Sequence, residues 1–67
     1  MKIKDLLDAW KSNYFALVYI SDENYDDFLF EGGINDCIKS EFANKRVKYW
    51  TSEDIMPDKI TNLMITI

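Results

Sequence analysis

Histidine is absent from this chain, cysteine and proline occur once each, and glycine occurs twice. Each scarcity closes off a kind of chemistry. Without histidine there is no general base suited to neutral pH and no Ser-His-Asp set. The single cysteine, Cys37, forms no internal disulfide, and one cysteine without histidine does not assemble a structural zinc site. The two glycines, Gly32-Gly33, lack the Gly-Lys-Ser or Gly-x-x-Gly context of a phosphate loop. No apolar run approaches the roughly 20 residues of a membrane span. The segment Met1 to Asp5, followed by an amphipathic stretch that Asp8 interrupts, does not resemble a signal peptide. The expectation is a cytoplasmic, non-enzymatic protein with no cofactor, no metal and no membrane partner.

What is present is apolar and acidic. Sixty-seven residues make a single domain, 1–67, which at this size buries only about 60% of the surface its unfolded chain exposes. Two tryptophans, four tyrosines and four phenylalanines contribute large apolar areas to so small a core. The net charge is −4, unevenly spread. Residues 1–36 carry eight acids against three bases, and residues 37–67 carry four acids against five bases.

Ile3, Leu6, Leu7 and Trp10 fall at i, i+3, i+4 and i+7, which predicts a helix over about 2–11. After Ser12-Asn13, the run Tyr14 to Ile20 is aromatic and β-branched, as strands are. Ser21 to Asn24 supplies a turn, and Tyr25 to Phe30 alternates as a second strand, forming a hairpin that Gly32-Gly33 ends. Ile34, Cys37, Ile38 and Phe42 predict a second helix over about 34–43, with Asn44 as its stop. Val47 to Thr51 reads as a third strand, 52–58 as a loop containing Pro57, and 59–67 as a fourth strand. A shift of 31 residues aligns Ile3 with Ile34, Asp5 with Asp36, Asn13 with Asn44, Ser21 with Ser52 and Asp27 with Asp58, a faint sign of duplication. The predicted fold class is α+β in αββαββ order, a four-stranded, mainly antiparallel sheet with two helices packed on one face.

Strand parity assigns Phe15, Leu17, Tyr19, Phe28, Phe30, Val47, Tyr49, Leu63, Ile65 and Ile67 to the face beneath the helices. The opposite face then presents Ala16, Val18, Ile20, Leu29, Trp50, Ile60 and Met64, mixed with Asp27, Glu31, Lys48, Asn62 and Thr66. An apolar surface of that extent suggests association, and Val18, Ile20, Trp50, Ile60 and Met64 are the candidate interface of a homodimer or accessory subunit.

The stretch Asp22 to Asp36 holds six carboxylates and no base. Asp22-x-Asn24-x-Asp26 matches the first ligand positions of an EF-hand loop, but Asp27 stands where that loop needs glycine and Gly33 where it needs the bidentate glutamate. The remaining readings are a solvated turn and a docking surface. In the second, Asp22, Glu23, Asp26, Asp27, Glu31 and Asp36 imitate nucleic-acid phosphates toward a partner protein whose own surface is basic. Direct nucleic-acid binding has one candidate, Lys45 to Trp50, whose two aromatics split between strand faces. Asp5 and Asp8, flanked by Lys4 and Lys11, read as a solvated helix face, and Cys37 reads as a packing residue.

Lysine, asparagine, isoleucine and aspartate are abundant, while alanine, glycine and proline are scarce. In this the whole chain resembles the short acidic proteins encoded by phages and mobile elements of AT-rich bacteria. That resemblance implies an inhibitor of host defence, of the anti-restriction or anti-CRISPR type, acting by occlusion of a host protein and not by catalysis.

Overall fold

A computed structural model of the chain describes residues 1–9, 16–24, 26–55 and 60–67. The expected roles of Trp10, the 12–13 break, Tyr14, Phe15, Tyr25 and Pro57 lie outside the described residues. Among those described, the chain forms two α-helices, a 3-10 turn and a four-stranded sheet.

Helix α1 runs Ile3–Asp8 and buries Ile3, Leu6 and Leu7, the residues whose spacing puts them on one side of a 3.6-residue period. Its start is fixed by Asp5, whose carboxylate accepts the Lys2 amide at 3.2 Å. Strand β1, Ala16–Ser21, and strand β2, Phe30–Gly33, pair antiparallel with Ile20 opposite Phe30 and Leu17 opposite Gly33. The expected hairpin is therefore present, but its second strand lies later than 25–30 and contains both glycines. Gly32 tolerates a strand here because the Phe30 ring, two residues back on the same face, covers it; a Cβ at Gly32 would lie 3.2 Å from that ring.

The chain passes from β2 into helix α2, Ile34–Ile38, without a linker. The second helix is shorter than its pattern predicts. The Ser40 hydroxyl donates to the Cys37 carbonyl at 2.6 Å and accepts the Phe42 amide at 3.2 Å, closing α2 and opening a 3-10 turn over Glu41–Asn44. A serine that bonds its neighbouring backbone in this way competes with helix continuation. Strand β3, Tyr49–Ile55, is longer than expected and takes in much of the assigned 52–58 loop, and β4 is Ile60–Thr66.

The strand order is β2-β1-β4-β3. Strands β3 and β4 are antiparallel, but β1 and β4 are parallel neighbours at the centre, so the sheet is mixed and not mainly antiparallel. The class is α+β as expected. The order departs from a plain αββαββ by the 3-10 turn between α2 and β3.

Parity is where expectation and structure part. Leu63 and Ile65 of β4 are buried, and Phe30, Val47 and Ile67 pack against the core, as predicted. On β1 the assignment is reversed. Ala16, Val18 and Ile20 lie opposite Thr61, Leu63 and Ile65 and face the helices, with Val18 and Ile20 at 0% exposure, while Leu17 is 37% exposed. Phe28 and Tyr49, also expected inside, are 45% and 54% exposed. Val18 and Ile20 are thus excluded from any surface. Leu29, assigned to the outer face, packs against the core.

Candidate functional site

The loop between β1 and β2 carries four of the six candidate acids, Asp22, Glu23, Asp26 and Asp27. Local bonds set its shape. Asp22 accepts the Asn24 amide, two residues on, at 2.9 Å, the side-chain-to-backbone turn that aspartate favours, and Asp27 accepts the amide of the next residue, Phe28, at 3.0 Å. The Leu29 amide reaches the Ile20 carbonyl at 2.7 Å and returns the chain to the ladder.

Glu23 is tied to the rest of the sheet. Its Oε2 accepts the Lys48 ammonium at 2.8 Å, with both side chains largely in solvent. The hydrogen bond and the charge of Lys48 hold the Glu23 carboxyl below its ordinary range, and the same bond raises the Lys48 ammonium above its own. One carboxylate of the stretch is therefore neutralised, and Lys48 is engaged within the chain.

Glu31 sits on β2 opposite Tyr19, on the outer side of the sheet. Asp36 lies in the first turn of α2, beyond the end of β2 that pairs with Leu17, and so away from the loop at the other end of the hairpin. The six residues do not converge on one point. Among the described residues no three His, Cys, Asp or Glu side chains group closely enough to hold a metal ion.

The outer face of the sheet has no helix on it among the described residues, since α1, α2 and the 3-10 turn all pack on the other side. Leu17 and Tyr19 project there from β1, with Met64 of β4 beside Tyr19 and Asn62 beside Leu17. The Phe28 ring stands 5.2 Å from that of Tyr19 at a tilt of 52°. Toward the hairpin end, the Ser21 and Thr66 hydroxyls approach to 3.4 Å, with Tyr49 opposite Thr66. Of the interface candidates, Met64 and Ile60 do lie on this face, half-buried. Trp50 projects from the helix side of β3, opposite Ile65. Tyr49 and Trp50 consequently point to opposite sides of β3, as the reading of Lys45 to Trp50 expects.

Strand parity assigns Leu17, Tyr19 and Phe28 to the core. A signal against that was available. The row Ala16, Val18, Ile20 is small and aliphatic, whereas Tyr19 in the other row carries a hydroxyl that needs water or a partner when buried.

Cys37 is fully buried on α2. Burial pushes its thiol pKa up, with the Ser40 hydrogen bond opposing that shift, so it is a poor source of thiolate. No helix among the described residues is long and apolar enough to cross a membrane. Comparison with protein-family models, with curated proteins and with solved structures gives no match.

Proposed function

We propose that this chain is a non-enzymatic, cytoplasmic protein-binding module that occludes a partner protein bearing a basic surface, as a phage- or mobile-element-encoded inhibitor of host defence would. The observation that carries this reading is the acidic loop joining β1 and β2, with Asp22, Asp26 and Asp27 beside the Lys48-paired Glu23 within six consecutive residues and Glu31 following on β2. Asp22 and Asp27 are held by hydrogen bonds from the Asn24 and Phe28 amides. Carboxylates fixed on a scaffold attract a basic surface and speed encounter with it. The absence of histidine and the buried, poorly ionised Cys37 favour binding over catalysis.

The test is capture from a bacterial lysate at low and high salt, with the wild type beside the double variant Asp26→Lys, Asp27→Lys. A protein retained by the wild type, released by salt and missed by the variant fits the proposal. Retention that is indifferent to salt would remove the acidic loop from the contact.

A second reading, a homo-oligomer or accessory subunit, draws on the exposed apolar residues. With Val18 and Ile20 buried and Trp50 on the helix side of β3, a contact on the outer face would be made by Leu17, Tyr19, Phe28, Ile60 and Met64. Sedimentation over a wide concentration range tests it, since a monomer throughout removes the homo-oligomer.

A further inference from the structure

We infer that the outer face of the sheet is the apolar centre of this contact, and that its occupant is a partner protein presenting apolar side chains flanked by lysine or arginine, not a second copy of this chain. The inference rests on the reading of the chain as a binding module and adds to it a site that the acidic loop does not include.

The residues form one connected patch. Leu17 and Tyr19 are successive outward residues of β1. Met64 lies beside Tyr19 in the parallel register, and Phe28 stacks obliquely on Tyr19 at 5.2 Å between ring centres. Leu17 at 37% exposure and Phe28 at 45% are large apolar side chains left in water. Aromatic and aliphatic anchors grouped in this way are what a protein contact buries at its centre.

Charge selects the occupant. Among the described residues, the strands place Glu31 of β2 and Glu53 of β3 on this face, one on each side of the apolar row, and Lys48, just before β3, is paired with Glu23 of the loop. Glu31 lies opposite Tyr19 and Glu53 opposite Asn62, which neighbours Leu17. The acidic loop extends the negative charge beyond Phe28. A second copy would set an acid-flanked row against another, between chains that each carry −4, and like charges brought together in a contact oppose it. An apolar ridge with basic flanks meets the same row with complementary charge on both sides.

The probe is a helical peptide with leucines along one face and lysines on the others, titrated into the 15N-labelled protein beside an all-lysine peptide of equal charge. The leucine-lysine peptide should shift the amides of Leu17, Tyr19, Glu31 and Met64, and bind at least about tenfold more tightly than the all-lysine peptide, roughly the effect of one buried anchor. The all-lysine peptide should shift only residues 22–29. Leu17→Ser, or Tyr19→Ser if the first fails to fold, should remove the advantage and keep the weak loop binding. Equal affinity for both peptides, with shifts confined to the loop, overturns this inference and leaves the acidic-loop reading standing. Absence of binding by either peptide overturns both. A dimer in sedimentation that Leu17→Ser dissociates overturns the choice of a foreign partner.

Discussion

Strand β1 turns Ala16, Val18 and Ile20 toward the helices and Leu17 and Tyr19 away from them, so the same six-residue strand supplies the centre of the core and the centre of an exposed apolar face. Both rows are apolar; what separates them is cover. Helices of six and five residues are about 9 and 7.5 Å long, whereas four strands at their usual spacing span roughly 14 Å between outer axes. Even the helix side is incompletely roofed. Trp50, Ser52 and Asp54 project from β3 on that side and remain exposed. Among the described residues no helix covers the second face, and the binding proposal rests on that surplus of apolar surface.

The contrast between the two faces is sharpest in stability. Ile20→Ala and Leu7→Ala each empty a fully buried site and should cost about 2–5 kcal/mol, a large share of the roughly 5 kcal/mol at the low end for small domains. Leu17→Ala should change stability by less than about 1 kcal/mol. Urea unfolding followed by circular dichroism separates the two classes, and equal losses on both sides would erase the distinction.

A smaller effect should come from the polar pair on the helix side. The Thr61 hydroxyl donates to Asp54 Oδ1 at 2.8 Å, and Thr61 is buried. Thr61→Val leaves a hydrophobic isostere and should cost about 1 kcal/mol. Cys37 reports on the same enclosed region without mutation. Its alkylation in the folded protein should be at least about a hundredfold slower than in urea, because the thiol reacts only through opened states. Rapid alkylation in native buffer would instead revive a nucleophilic role.

The smallest effect belongs to the loop. Glu23 has its carboxyl lowered from an ordinary value of 4.5 by Lys48. The pair's contribution is therefore complete above that value and fades as pH falls through the lower folded pKa. Lys48, raised from 10.5, gives the opposite limb: its contribution is complete below that value and fades as pH rises through the folded pKa. Both groups are solvent-exposed, so the change is small and salt-sensitive. Amide shifts of residues 22–24 should follow the acid limb in the wild type and lose that component in Glu23→Gln. An unchanged titration in the variant would mean that the pair does not hold the loop.

Much of this fold could be read from local pattern. The i, i+3, i+4 spacing of Ile3, Leu6 and Leu7 fixes α1, and the apolar odd residues Leu63 and Ile65 among the polar Asn62 and Thr66 fix the parity of β4. Strand β1 defeats the same logic because Ala16 to Ile20 is apolar on both sides, so alternation leaves the choice of face to tertiary packing. The parallel pairing of β1 with β4 lies equally beyond local pattern, since strand order depends on how distant segments meet. The division of the second helix at Ser40 comes from a hydroxyl that makes two backbone bonds, which periodicity of apolar residues does not register. The acidic loop was visible as a charge run. Asp36 belongs with it by sequence proximity alone, and the uninterrupted passage from β2 into α2 carries it away.

Introducing one carboxylate at adjacent positions of β1 tests the orientation of that strand most directly. Leu17→Asp should fold with an unfolding midpoint close to the wild type, because its new charge meets water. Val18→Asp should not fold, because it buries an unpaired charge in the core. A folded Val18→Asp beside an unfolded Leu17→Asp would invert the sheet and remove the outer face on which the binding proposal stands.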